Sequence, residues 1–125
     1  MARHNELGAK GEEAAAEFLI GQAHEILVRN FRFGKAEVDI ISKDGKAIVF
    51  TEVKTRSTNN FGRPEEFVDK KKRKMMKQAA EEYMYQQKLD FDIRFDIISV
   101  NHKNGALEIN HIKDAFFHES EGGYN

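Results

Sequence analysis

Two carboxylates and a lysine stand inside segments that otherwise have the composition of buried strands. Asp39 lies in the apolar run 36–41, and Glu52 and Lys54 lie near the end of the apolar run 47–54. Burying an unpaired charge is unfavourable, so charges in such runs need a partner or a metal ion. Because side chains two positions apart share one face of a strand, Glu52 and Lys54 are predicted to point the same way.

These side chains together predict a site for a hard divalent cation beside a phosphate. If the two runs pair, Asp39 lies across from Glu52, and their carboxylates and the carbonyl of Val53 offer oxygen ligands suited to Mg²⁺ or Mn²⁺. Lys54 is then placed to orient an attacking water and to stabilise charge developing on phosphorus. Glu12, at the border of the apolar face of the first predicted helix, adds a ligand or holds a metal-bound water.

The elements that must position these residues follow from apolar periodicity and turn signals. Asn5 suits the N-cap of the first helix, and Pro64 suits the first position of the second. The pairs Asp44-Gly45 and Asn104-Gly105 each predict a two-residue hairpin turn. The predicted elements are a helix over 5–21, strands over 24–33, 36–42 and 46–55, a helix over 64–87, and strands around 91–97 and 107–109.

The order αβββαββ predicts an α/β domain with a central mixed sheet flanked by helices, because a helix must cross over before the fourth strand. The second and third strands are apolar on both faces, which is typical of central strands. The fourth strand alternates, which predicts one buried face and places Asp96 on the polar one. Gly8 and Gly11 predict a close approach of the first helix to the sheet.

Length and composition narrow the classes of protein. The chain of 125 residues predicts a single domain over 1–113, followed by an irregular tail over 114–125. The absence of cysteine excludes a disulfide framework, a thiolate zinc site and a cysteine nucleophile. No apolar run approaches the length of a membrane span and no signal-like segment begins the chain, so we expect a cytoplasmic protein without membrane contact.

Basic side chains are concentrated near the predicted site although the formal net charge is −1. Arg56 and Arg63 flank the loop after the third strand and are candidates for contact with a nucleic-acid backbone. Lys71, Lys72 and Lys74 belong to a lysine-rich run that is either a solvated helix face or a track for phosphates. The sequence leaves both interpretations open.

The arrangement Asp39…Glu52-Val53-Lys54 resembles the signature of PD-(D/E)xK nucleases. A longer set of segments is similar to the YraN-like bacterial family, whose members are mostly uncharacterised, endonuclease-like proteins. These segments span the chain from about residue 7 to about residue 100 and are Gly8–Glu13, Arg29–Arg32, Glu37–Ile41, Phe50–Arg56, Phe61–Pro64, Val68–Met84 and Arg94–Ile97. One departure is at Lys35-Ala36, where the family tends to have a glycine.

The resemblance implies a restriction-endonuclease-like fold close to that of archaeal Holliday-junction resolvases. It implies metal ligation by Asp39 and Glu52, a catalytic role for Lys54 and a supporting acid at Glu12. The implied reaction is Mg²⁺- or Mn²⁺-dependent hydrolysis of DNA. The similarity to resolvases also suggests a two-fold homodimer, because a junction cutter needs two active sites.

Two other classes of function remain open at this point. A non-catalytic nucleic-acid-binding or adaptor module would keep the fold and bind without metal, even after loss of Glu52. An interaction protein would use the basic helix to bind an acidic protein partner. Taken singly, Asp39 could cap a turn and Lys54 could be an edge lysine, so the prediction rests on the set.

Overall fold

The computed structural model describes residues 2–57 and 68–116, with side chains described from Glu6 onward. The elements are α1 (Ala2–Gly21), β1 (Glu25–Phe33), β2 (Ala36–Asp44), β3 (Ala47–Arg56), α2 (Lys70–Gln87), β4 (Asp92–Lys103) and β5 (Ala106–Phe116). This is the predicted order αβββαββ. Within the described ranges, neither helix has the length and apolarity that a membrane span requires.

The sheet has the order β1-β2-β3-β4-β5. Neighbouring strands are antiparallel except β3 and β4, which are parallel and are joined through α2. A parallel pair needs such a crossover, and the helix covers the sheet as it returns. The prediction of an α/β, restriction-endonuclease-like architecture with a mixed sheet flanked by helices is confirmed.

Each helix packs against the sheet through its own apolar core. The core beneath α1 consists of Ala15, Ala16, Leu19, Ile40, Val53, Ile98 and Val100. The core beneath α2 is larger and includes Val38, Ile41, Phe50, Met76, Ala79, Tyr83, Phe95 and Ile97. Because both faces are covered, β2, β3 and β4 are buried along much of their lengths.

One glycine allows α1 to approach the sheet. A Cβ atom at Gly11 would overlap the hydroxyl of Thr55 on β3, whereas a Cβ atom at Gly8 would meet open space. The predicted close approach is therefore confirmed at Gly11 and wrong at Gly8. Gly11 precedes Glu12, so this contact helps to fix the height of Glu12 above the sheet.

The hairpin turns lie at or within one residue of the predicted pairs. Asn104 and Gly105 have φ values of 52° and 78°, as a two-residue turn with two left-handed positions requires. In the β2–β3 hairpin, Asp44 pairs with Ala47, so the turn is Gly45-Lys46 rather than Asp44-Gly45. Gly45, with φ of 62°, occupies its first position.

Both predicted helix starts are wrong. Helix α1 begins at Ala2, so Asn5 lies inside it and does not cap it. Helix α2 begins at Lys70 with Asp69 as N-cap, whose carboxylate accepts from the Lys72 backbone N–H at 2.9 Å. Pro64 precedes this cap by five positions and lies outside the described residues. An Asp cap satisfies an N–H that a helix start leaves free, which explains the later start.

The last two strands extend beyond their predicted bounds. Strand β4 is buried on both faces over 95–100, because α1 and α2 cover opposite sides and β5 pairs along it. Strand β5 continues to Phe116, so residues 114–116 of the predicted tail belong to the sheet. Phe116 is buried and stacks on Phe95 with ring centroids 4.8 Å apart. The rest of the tail lies outside the described residues.

Candidate functional site

The β2–β3 hairpin brings the two predicted metal ligands together. Ile40 pairs with Thr51, and one further step of this register puts Asp39 opposite Glu52. The Val53 backbone N–H donates to Asp39 Oδ2 at 2.8 Å, which fixes the carboxylate against β3. We call Asp39 and Glu52 the acid pair.

The acid pair is held in surroundings that disfavour two negative charges. The Glu52 side chain is 6 % exposed. Burial and the neighbouring charge of Asp39 raise the pKa of Glu52 to about 7. Burial also raises the pKa of Asp39, although the hydrogen bond from Val53 opposes this. Buried carboxyl groups in contact favour either a shared proton or a cation between them.

A lysine from α2 contacts the acid pair. Lys72 Nζ lies 3.0 Å from Glu52 Oε2. Glu52 Oε1 is buried and has no hydrogen-bond partner among the residues that the structure describes. Burial by itself would lower the pKa of Lys72, but the Glu52 carboxylate raises it overall.

The sequence analysis placed Lys72 either on a solvated helix face or on a track for phosphates, and neither interpretation included this ion pair. A signal was present, because Lys72 precedes the buried Met76 by four positions and so lies on the inward face of α2. The two other candidates of the run, Lys71 and Lys74, are exposed, as a phosphate-binding surface requires.

Lys54 and Val53 lie where the sequence predicts them. Lys54 is partly buried on β3, two positions after Glu52, and its charge opposes the rise in the pKa of Glu52. The N–H of Val53 points to Asp39, and the N–H and carbonyl of a strand residue face the same side. The Val53 carbonyl therefore faces the side of β2, past the pair Ile40–Thr51 at which the pairing of β2 with β3 ends. Its role as a metal ligand stays a prediction.

Helix α1 brings Glu12 toward Asp39 from the other side. Burial and the charge of Asp39 raise the pKa of Glu12, while Arg29 and a hydrogen bond with the Asn30 side chain oppose the rise. Asn30 has a φ of 59°, a left-handed conformation that asparagine tolerates better than most residues. The sequence interpretation missed Asn30, whose only signal was a poor strand former inside β1.

The remaining candidates lie around the acid pair or outside the described ranges. Arg56 is the last residue of β3 and is partly buried. Arg63 falls within 58–67, outside the part of the chain that the structure describes. Glu37, two positions before Asp39, pairs with Arg32 at 3.8 Å, with both side chains exposed.

The oxygen atoms of the acid pair fit a hard divalent cation that takes only a few ligands from the protein and the rest from water. Within residues 2–57 and 68–116, no group of three or more His, Asp or Glu side chains is arranged to hold a metal ion. Mg²⁺ commonly binds one or two carboxylates and keeps several waters. Two adjacent carboxylates with one buried, unpartnered oxygen meet that requirement, and the direct ligation by Glu12 stays a prediction.

A second buried polar cluster surrounds Asp96. Arg94 donates to both Asp96 oxygens at 2.9 Å and to Asp44 Oδ2 at 2.9 Å. His111 Nε2 lies 2.8 Å from Asp96 Oδ2, and the Asp114 backbone N–H donates to Asp96 Oδ1 at 3.0 Å. His24 joins through Asp44 at 3.5 Å. We call this set, with Ser42 bonded to His24, the Asp96 network.

The Asp96 network is structural in its chemistry. Burial would raise the pKa of Asp96, but hydrogen bonds from His111 and Arg94 lower it to about 2. Burial lowers the pKa of His24. The prediction that Asp96 lies on an exposed polar face is wrong, since its side chain is fully buried. Every side-chain oxygen of Asp96 is bonded, which leaves no open ligand position.

The chain is similar to a large set of bacterial proteins. The model of the uncharacterised protein family UPF0102 matches residues 11–100. A UPF0102 protein of Christiangramia forsetii is 48% identical over 118 residues, covering 94% of this chain and 99% of the relative. A UPF0102 protein of Caldicellulosiruptor saccharolyticus is 49% identical over 114 residues, covering 89% and 97%.

A further relative, from Flavobacterium psychrophilum, is 44% identical over 118 residues, covering 94% of this chain and 99% of the relative. The matched range includes Glu12, the acid pair, Lys54 and Lys72. The YraN-like resemblance predicted from the sequence is confirmed. The chain belongs to the UPF0102 family.

Proposed function

We propose that this protein is a metal-dependent nuclease that hydrolyses phosphodiester bonds of DNA. The observation that carries the proposal is the acid pair, in which a buried Glu52 lies beside a half-buried Asp39 and one Glu52 oxygen has no partner among the described residues. Two adjacent carboxylates, one of them buried without a full set of donors, destabilise a fold, and groups perturbed in this way are enriched at functional sites.

The roles of the side chains follow from their places. Asp39 and Glu52 would hold Mg²⁺ or Mn²⁺, with the Val53 carbonyl as a further ligand and Glu12 as a supporting acid. The cation, when bound, acidifies water and neutralises charge on the phosphate. Lys54 orients the water whose oxygen bonds to phosphorus while one phosphorus–ester oxygen bond breaks. The attacking water gives up one proton to bulk solvent, and the leaving oxygen takes one up from it.

Basic residues beside the acid pair support nucleic acid as the substrate. Lys71 and Lys74 are exposed on the first turns of α2, next to the helix position that reaches Glu52. Arg56 ends the strand that carries Glu52. Phosphate contacts from such side chains position a substrate without reading its sequence. Branched DNA and a homodimer are the finer proposal, supported by the similarity to resolvases.

The first experiment measures cleavage of labelled duplex, single-stranded and four-way-junction DNA with Mg²⁺ or Mn²⁺. Glu52→Gln keeps the size of the side chain and removes its charge. We expect cleavage to fall by about a thousandfold, as for the loss of a group that acts on the transition state. Glu13→Gln, on the exposed side of α1, is the matched control and is expected to keep full activity.

The contrary outcomes are distinct. Equal cleavage by wild type and Glu52→Gln assigns the activity to something other than the acid pair. The non-catalytic nucleic-acid-binding module is favoured if wild type cleaves no substrate and if wild type and Glu52→Gln both bind DNA without metal. Binding of acidic proteins with none of DNA favours the interaction protein.

A further inference from the structure

Lys72 differs from the other lysines at the start of α2. Its Nζ lies 3.0 Å from Glu52 Oε2, and its side chain is 41% exposed. Its backbone N–H is fixed by the cap Asp69 at 2.9 Å, so the root of the side chain has a defined position. Lys71 and Lys74 point into solvent instead.

Lys72 lies at a helix position that is electrostatically unfavourable for a lysine, and its contact with Glu52 is favourable. The first turn of a helix carries a partial positive charge, which favours acids there and disfavours lysine. The first turn of α2 contains no acidic residue. Asp69 caps the backbone of this turn, and the Glu52 carboxylate supplies the charge opposite to the Lys72 ammonium, which places a cation against the acid pair.

Lys72 and a divalent cation weaken each other's attraction to Glu52 when both lie beside its carboxylate. Two positive ions within a few ångströms of each other repel strongly in a partly buried site. Lys72 is the mobile partner, since its four-carbon stem rotates freely and nearly half of its side chain meets solvent. A phosphate oxygen of a substrate bound beside the acid pair is the nearest new partner of opposite charge.

We propose that Lys72 is the resident counterion of the acid pair, that it competes with the divalent cation for Glu52, and that it moves to a substrate phosphate when the cation binds. This inference rests on the proposed function, because it requires metal and nucleic acid at the same site. Lys72 thereby links metal binding to phosphate binding: the chain gains a phosphate contact only in the metal-loaded state.

The first test compares the affinity for Mn²⁺ of wild type, Lys72→Met and Lys72→Arg by calorimetry. Removing the competing charge is expected to tighten Mn²⁺ binding by about tenfold, while Lys72→Arg stays near wild type. Lys70→Met removes an exposed charge from the same first turn of α2 and is the matched control, with no change expected. Equal or weaker Mn²⁺ binding by Lys72→Met overturns the inference and leaves the proposed function standing.

The second test measures the salt dependence of binding to a short DNA duplex, in EDTA and in Ca²⁺, which takes the same oxygen ligands. Loss of one phosphate contact reduces the slope of log affinity against log salt by about 0.9. We expect Lys72→Met to reduce the slope only in Ca²⁺, and Lys74→Met to reduce it in both conditions. A reduction by Lys72→Met in both conditions makes Lys72 an ordinary phosphate contact and overturns the inference.

Two further outcomes complete the test. If neither wild type nor Lys72→Met binds Mn²⁺, the inference fails together with the metal-dependent part of the proposed function. If Lys72→Met does not fold, the NMR signal of the Lys72 side chain in wild type is identified by its absence in Lys72→Arg. It is then expected to shift as Mg²⁺ is added, and an unchanged signal overturns the inference.

Discussion

Two clusters of buried carboxylates lie on one sheet and differ in how their charge is satisfied. Asp96 receives hydrogen bonds from Arg94, His111 and a backbone N–H, and its pKa falls to about 2. Glu52 contacts another carboxyl group and one lysine, and its pKa rises to about 7. Burial acts on both, so the difference comes from the number of donors.

This difference separates a group that stabilises the fold from a group available for chemistry. A carboxylate whose oxygens are all bonded is fixed in its charge state and has no open position. A carboxylate with one unpartnered oxygen beside a second acid can bind a cation or a proton. Net charge and burial alone would not have distinguished Asp96 from Glu52, because both are buried strand acids.

The largest effect is expected from Asp96→Asn. Removing the charge leaves the half-buried Arg94 with weaker acceptors, and we expect the free energy of unfolding at pH 7 to fall by about 3 kcal/mol. The affinity of the folded protein for Mn²⁺ should not change. Urea unfolding measures the first quantity and calorimetry the second. Asp114→Asn, an exposed carboxylate on the neighbouring strand β5, is the control with no expected loss.

The two clusters also predict pH dependences of opposite sign. The folded pKa of Asp96 is below the reference value of 3.8, so its contribution is complete above pH 4 and is lost as pH falls toward 2. The pKa of His24 is lowered in the folded state, so its contribution to the stability of the protein is also lost as pH falls below about 6.5. The penalty of Asp96→Asn should therefore shrink in acid.

For Glu52 the folded pKa is above the reference value of 4.5, so the folded state binds the proton more tightly. Its contribution to stability therefore falls as pH rises from about 4.5 to 7. In EDTA, the free energy of unfolding of Glu52→Gln should rise relative to that of wild type by on the order of 2 kcal/mol as pH increases across that window. Unfolding curves of the two proteins that stay parallel from pH 4.5 to 8 would contradict the raised pKa.

The smallest effect is expected from two neighbouring acids of α1. Glu12 is partly buried and its pKa responds to Asp39, whereas Glu13 is exposed and pairs with Arg29 at 2.9 Å. Glu12→Gln should lower cleavage by about tenfold, as the loss of a supporting group does. Glu13→Gln should leave cleavage and stability unchanged. Equal effects of both substitutions would remove Glu12 from the site.

Most of the element order could be predicted because it depends on local patterns. Apolar runs and turn pairs identified five strands and two helices, and the Asn104-Gly105 turn lies where its two left-handed positions require. The helix starts could not be fixed in this way. Asn5 and Pro64 have the chemistry of helix starts, but α1 continues past the first, and the side chain of Asp69 provides the cap of α2.

The two acids of the candidate site could be predicted from the sequence, but their lysine counterion could not. Asp39 and Glu52 stand out because charges are rare in apolar runs, and a hairpin fixes their register. Lys72 belongs to a run of similar lysines, and only helical phase sets it apart. The Asp96 network could not be predicted for another reason. It joins side chains of β2, β4 and β5 with His24, which precedes β1, and these segments are distant in the chain.

Residue types and their spacing along the chain were sufficient to identify the charges inside strands, the order of the elements and the membership of the UPF0102 family. Which of these charges contact one another depends on the three-dimensional fold. The pairing of Lys72 with Glu52 and of Arg94 with Asp96 depends on strand register and helix phase, and electrostatic energy depends on distances of a few ångströms.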